Sequence, residues 1–227
     1  MTDDGGTAAM ESLYPFLYAE TSDLAAVLDE VRASTVAKIT EIGELRQVIV
    51  RRDGARIARC AREMAERFAA GGRLFAFGNG GSATDAAQLA TLFLNPGDGG
   101  APPRPAFGLA NDTSVVTALG NDIGVDVVFA RQLGAFGRAG DIAVGLSTSG
   151  NSDNLLRAFD EASRRGMLTI GLAGYEGGKM AELSSIDYLF VAPSASIHRI
   201  QEAQTTVYQV LWELSAQEVS HVPRDTG

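Results

Sequence analysis

The segment Leu74-Phe75-Ala76-Phe77-Gly78-Asn79-Gly80-Gly81-Ser82 decides the fold class. An apolar run of strand length enters a glycine-rich turn, and a helix-compatible stretch, residues 82–94, follows it. That is how a buried strand feeding a helix reads in sequence. The pattern recurs downstream. Residues 105–110 precede a helical stretch at 112–120, residues 141–146 precede one at 151–165, and residues 167–173 precede a short glycine-rich turn. A last run, 188–191, precedes a long helix from about 198 to 220. Strands alternating with helices of this length form βαβ units. The expectation is therefore an α/β protein of three αβα layers, with a central parallel sheet of about five strands. Residues 95–105, rich in glycine and proline, read as a loop.

Upstream of Leu74 the apolar residues recur at helical intervals. Leu24, Val27, Leu28 and Val31 form one stripe, and Ile39, Ile42, Leu45 and Ile49 form another. Ile57, Met64 and Phe68 follow before Gly71-Gly72 stops the pattern. Two or three helices are expected over residues 11–70, packed on a core at 71–221. Residues 1–10 are polar and read as a disordered tail. No repeat or linker divides the chain, so a single domain is expected.

Composition excludes several functions. Nineteen basic against 28 acidic residues give a formal charge of −9, which argues against a nucleic-acid surface. Two histidines, His198 and His221, and the lone Cys60 make a histidine/cysteine zinc site improbable and exclude an intrachain disulfide. No apolar run reaches the roughly 18 residues needed to cross a bilayer. The N-terminal Met-Thr-Asp-Asp-Gly-Gly is unlike a signal peptide, so a cytoplasmic protein is expected.

Two strand ends carry unusual chemistry. Gly78-Asn79-Gly80-Gly81-Ser82 permits positive φ and close backbone approach, with Ser82 placed to open the next helix as N-cap or N1. Ser147-Thr148-Ser149-Gly150-Asn151-Ser152 brings four hydroxyls to a helix N-terminus, where the helix dipole favours an anion. Either loop alone is as readily a turn and a cap. Two at successive strand ends can converge on one anion without Lys or Arg, because N–H groups and hydroxyls suffice. Gly78, Gly80 and Ala83 also fit a dinucleotide fingerprint, but no acidic residue stands at the end of the second strand at the required distance. Gly177-Gly178-Lys179 runs into Met180 and is no Walker loop.

These loops, with Gly120-Asn121-Asp122 and Arg199-Ile200-Gln201-Glu202, resemble the sugar isomerase (SIS) domain, most closely that of bacterial phosphoheptose (sedoheptulose 7-phosphate) isomerases. The resemblance covers roughly residues 35–220. It implies that Ser82, Ser147, Thr148, Ser149 and Ser152 bind a sugar phosphate, and that Asn79, Gly80, Gly81, Asn121, Asp122 and Gln201 line the sugar. It also implies a glutamate and a histidine as the proton-handling pair, with a zinc ion in several members. Here the glutamate position is Leu92, the last-helix histidine is Gln209, and the zinc-side histidine is Gln88. Of that set only Gln201 is kept, and His198 stands where an aspartate is usual. No cofactor is expected, and no catalytic residue is assigned beyond His198 as a candidate. Glu202 and Asp85 are carboxylates near the motifs that serve equally as helix-surface or capping residues.

Three functions follow: a sugar-phosphate-binding SIS protein without isomerase activity, an isomerase with a rearranged acid/base set, or one subunit of a mixed oligomer with a paralogue or regulatory partner. The apolar stripes at Leu24 to Val31 and at Val207, Leu211 and Leu214 point to a homo-oligomer, expected to be a tetramer.

Overall fold

A computed structural model describes residues 24–97 and 102–219. The expected tail at 1–10 lies outside them. The chain divides into two compact units, residues 1–41 and 42–227, with the division falling inside the first helix.

Helix α1 (Leu24–Ala69) runs 46 residues without a break, where two or three helices were expected. Gly43 and Gly54 punctuate the sequence, yet each glycine costs a helix only about 1 kcal/mol and does not end it. In the first unit Leu24, Val27, Leu28, Val31 and Ile39 are all exposed. In the second, Ile42, Leu45, Ile49, Ile57, Met64 and Phe68 are buried at helical spacing.

The sheet comprises β1 (Leu74–Gly78), β2 (Ala106–Gly108), β3 (Ile142–Leu146), β4 (Leu168–Gly174) and β5 (Tyr188–Ala192). Their order is β2-β1-β3-β4-β5 and every pairing is parallel. The intervening helices are α2 (Gly81–Leu94), α3 (Thr113–Asp122), α4 (Val128–Phe136) and α5 (Asp153–Arg164), with α6 (Ile197–Val219) closing the fold. Short 3₁₀ turns occupy Val125–Val127 and Gly178–Glu182. Helix α4 was not expected from the sequence.

Strands β1, β3 and β4 are buried along their whole length, as parallel strands covered on both faces must be. Successive side chains alternate between two cores. Leu74, Ala76, Ile142, Val144, Ile170 and Leu172 face a cluster built with α1, α2 and α6. Phe75, Phe77, Ala143 and Ala173 face a second cluster with α4 and α5. Val207 and Leu211 of α6 belong to the first cluster and Leu214 packs against it, so that part of the stripe read as an oligomer surface serves the monomer core. Polar anchors finish the two ends of the sheet. Buried Asp141 accepts from the Arg73 side chain at 2.6 and 3.2 Å and from two backbone N–H groups. Buried Asp53 pairs with Arg52 and Arg56, which donate to Val191 O and Leu189 O along the outer edge of β5. An edge strand covered in this way offers no template for further pairing.

Candidate active site

The chain runs from β1 to β2 on one side and then back past β1 to β3 on the other, so the topological switch lies between β1 and β3. Ligands of open α/β sheets bind in the crevice beyond the carboxyl ends of the strands at such a point. Both glycine- and serine-rich loops open there. The first leads into α2, whose N-cap is Gly80 at φ 55°, with Ser82 buried in the first turn rather than at the cap or N1. The second leads into α5, whose N-cap is Ser152.

One side-chain pair joins the two loops. Asn79 Nδ2 donates to Asn154 Oδ1 at 2.9 Å, and Asn154 Nδ2 returns a bond to Asn79 Oδ1 at 3.0 Å. Asn154, in the first turn of α5, was not singled out in the sequence; nothing there pairs it with Asn79.

The 147–152 loop is organised by its own hydroxyls. Gly150 N–H donates to Ser147 Oγ at 3.0 Å and Asn151 N–H donates to Ser149 Oγ at 3.2 Å. An oxygen that has accepted a bond can still donate its own proton, to the other hydroxyl or outward, and bond chains of this kind polarise the next donor. The two hydroxyl oxygens stand 3.5 Å apart. Ser152 makes no side-chain capping bond, which leaves its hydroxyl beside the helix N-terminus, and Thr148 is half-buried. Gly150, at φ 68°, lies so close to the next turn that a Cβ there would sit 2.0 Å from Gly177 O. The loop is held from behind by Gln204, whose Nε2 donates to Ser147 O at 3.2 Å. Gln204 Oε1 is buried without a hydrogen-bond partner. Lys179, the cation nearest in sequence to the adjoining turn, is ion-paired with Asp153 at 3.3 Å.

Across the crevice α6 presents Gln201 to the first loop. Its Nε2 lies 3.4 Å from Asp85 Oδ2, and a Cβ on Gly81 would fall 2.4 Å from the same nitrogen. Burial pushes the Asp85 carboxyl above the ordinary aspartate range, against the lowering effect of the Gln201 bond. Nearby, the Tyr208 hydroxyl donates to Gln88 Oε1 at 3.1 Å. Burial raises the Tyr208 phenol, and the Asp85 charge raises it further.

The structure therefore brings Asn79, Gly81 and Gln201 together, and sets the 147–152 loop across the switch from them. Asn121 and Asp122 stand exposed at the end of α3, where Asn121 Nδ2 donates to Asp122 Oδ1 at 2.9 Å. His198 is exposed in the first turn of α6. Glu202 is paired with buried Arg199. Leu92 packs, partly buried, against the core, and Gln209 is half-buried. Among the described residues no three His, Cys, Asp or Glu side chains cluster as a metal site.

Fold and loops together define a doubly wound α/β protein with glycine- and hydroxyl-rich loops at its switch point. The chain belongs to the SIS domain family, whose model matches residues 39–174. It is 40% identical over 187 residues to a phosphoheptose isomerase of Nitratidesulfovibrio vulgaris, covering 82% of this chain and 89% of that one. The structure is similar to that of a phosphoheptose isomerase from Francisella tularensis, with a TM-score of 0.75 and 30% identity over 84% of this chain and 98% of the other. The phosphoheptose isomerase from Neisseria gonorrhoeae gives a TM-score of 0.73 and 34% identity over 84% and 99%. These relatives make the chain an isomerase-like SIS protein. No helix among the described residues is long and apolar enough to cross a membrane.

Proposed function

We propose that this chain binds a sugar phosphate at the β1/β3 switch without performing the aldose–ketose isomerisation of its relatives. In this reading Ser82, Ser147, Thr148, Ser149 and Ser152 hold the phosphate. Asn79, Gly80, Gly81, Asn121, Asp122 and Gln201 line the sugar. What supports it is a hydroxyl loop ordered by its own backbone bonds, together with Leu92 and Gln209 at the two positions that the resemblance gives to proton handling. Isomerisation needs a base that moves a proton between C1 and C2. A leucine accepts no proton, and an amide does not titrate near neutrality.

The zinc ion that the resemblance implies does not fit these residues. Gln88 Oε1 already accepts from Tyr208, Gln201 turns Nε2 to Asp85, and the third position is the amide of Gln209. Amide oxygens make a poor zinc site, and the one carboxylate beside them, Asp85, already accepts from Gln201. We assign the protein a sensing or scaffolding role in the cytoplasm as a homo-oligomer, with a tetramer as the working assignment and a paralogue or regulatory protein as a further partner. Calorimetric titration with sedoheptulose 7-phosphate tests the binding step; heats no larger than those of dilution would refute it.

An isomerase with a rearranged acid/base set is the second reading. One observation favours it: Asp85 is a carboxyl raised by burial and in contact with Gln201, which suits a group that exchanges a proton. His198, the other titrating candidate, is exposed.

A further inference from the structure

Tyr175 has a φ of +51°, and among the described residues no other non-glycine residue has a positive φ. A bulky side chain in that region is an outlier, held there by its surroundings. The turn that carries it is fixed at both ends. Gly177 N–H donates to Gly174 O at 2.8 Å, and beyond it Lys179 N–H donates to Asn151 Oδ1 at 2.9 Å and Met180 N–H to Gly150 O at 3.0 Å. None of these bonds uses Tyr175, so a glycine there would keep all of them and lose the strain. Glycines in fact occupy positions 174, 177 and 178, yet the strained position carries an aromatic ring. Core packing does not explain the choice, because Tyr175 is 40% exposed.

The ring forms one wall of an open groove of about 760 Å³. Ser149, Asn151, Gly178 and Ser194 line the same groove, as does the exposed Glu176, so a neutral donor close to Ser149 is needed to favour an anion there. Ser149 is the central hydroxyl of the anion loop, and Lys179 next to it is engaged by Asp153. A phenol at this wall adds an O–H donor on the outer side of a loop built from neutral donors. Resting on the reading of the 147–152 loop as the phosphate site, we propose that Tyr175 is a further ligand-binding residue whose hydroxyl donates to a phosphate monoester seated at Ser149. The strained backbone is kept because it aims this side chain into the groove.

The test uses the full chain and Tyr175→Phe and Tyr175→Gly variants, titrated with inorganic phosphate and with sedoheptulose 7-phosphate. Loss of one hydrogen bond to the anion should weaken both ligands roughly tenfold or more in each variant. Tyr175→Gly should melt no lower than the unaltered protein, which separates lost binding from lost folding. A clear fall in its melting temperature would make Tyr175 a structural residue and overturn the proposal. Binding that Ser149→Ala weakens but Tyr175→Phe leaves unchanged would overturn this proposal alone. If the unaltered protein binds neither ligand, or if Ser149→Ala changes nothing, the phosphate-loop reading falls and this proposal with it.

Discussion

Asn79 and Asn154 exchange two amide hydrogen bonds, 2.9 and 3.0 Å long, and so tie the turn after β1 to the first turn of α5. Asn154 is buried, and its truncation removes both of these bonds while the exposed Asn79 amide turns to water. Asn154→Ala should cost about 1–3 kcal/mol of stability in urea denaturation. Ligand affinity should fall with it, because the two loops are no longer held in register. A denaturation midpoint equal to that of the unaltered protein would remove this pair from the scaffold of the site.

Ser149 Oγ accepts from Asn151 N–H and, in the proposed reading, donates its own proton to the phosphate. Ser149→Ala loses a bond to a charged group, worth about 1.5–3 kcal/mol. Calorimetry should show roughly tenfold to hundredfold weaker sugar-phosphate binding. Unchanged affinity would place the ligand elsewhere.

The raised Asp85 carboxyl carries a pH signature. An acid whose folded-state value lies above its unfolded value binds more protons when folded. Its burial cost is absent below the unfolded value of 3.8 and grows as pH rises through the folded one. Asp85→Asn should therefore stabilise the protein at pH 7, and that advantage should shrink on acidification toward pH 4. Thermal melts across this range check the sign. A variant less stable than the unaltered protein at pH 7 would show that the ionised carboxylate is a net stabilising partner of Gln201.

Much of this architecture is legible in the sequence, for definite physical reasons. Each strand is a short apolar run closed by a turn, and β1, β3, β4 and β5 stand within a residue or so of the runs that announce them. Both loops announce themselves by glycine and hydroxyl content. Helix α4 is hidden because Gly124, Gly134, Gly137 and Gly140 break up its neighbourhood, and because its buried face includes Gln132, whose Nε2 bonds to Leu109 O at 3.0 Å. A polar residue on the core face interrupts the apolar period that would reveal a helix. The continuity of α1 is hidden by Gly43 and Gly54 in the same way. At the site, composition locates the loops but not their partners. Asn154 is 75 residues from Asn79, and Gln201 is 116 from Asp85, so only the sheet order brings each pair together.

Restoring the missing groups should shift the chemistry of the crevice. The combined change Leu92→Glu, Gln88→His and Gln209→His replaces a hydrocarbon and two amides by the donors that zinc prefers. Elemental analysis should find stoichiometric zinc in the purified variant and less than a tenth of an equivalent, at roughly background level, in the unaltered protein. Zinc in the unaltered protein at one equivalent would overturn the assignment of a metal-free site.

The most direct test is a coupled isomerase assay on sedoheptulose 7-phosphate, run on the preparation whose binding of that compound has been measured. A general base commonly contributes about 10²–10⁴-fold to rate, and Leu92 and Gln209 supply none. The predicted result is saturable binding with turnover lower by at least that factor than a phosphoheptose isomerase gives in the same assay. Robust turnover by the unaltered protein, abolished by Ser149→Ala, would contradict the account.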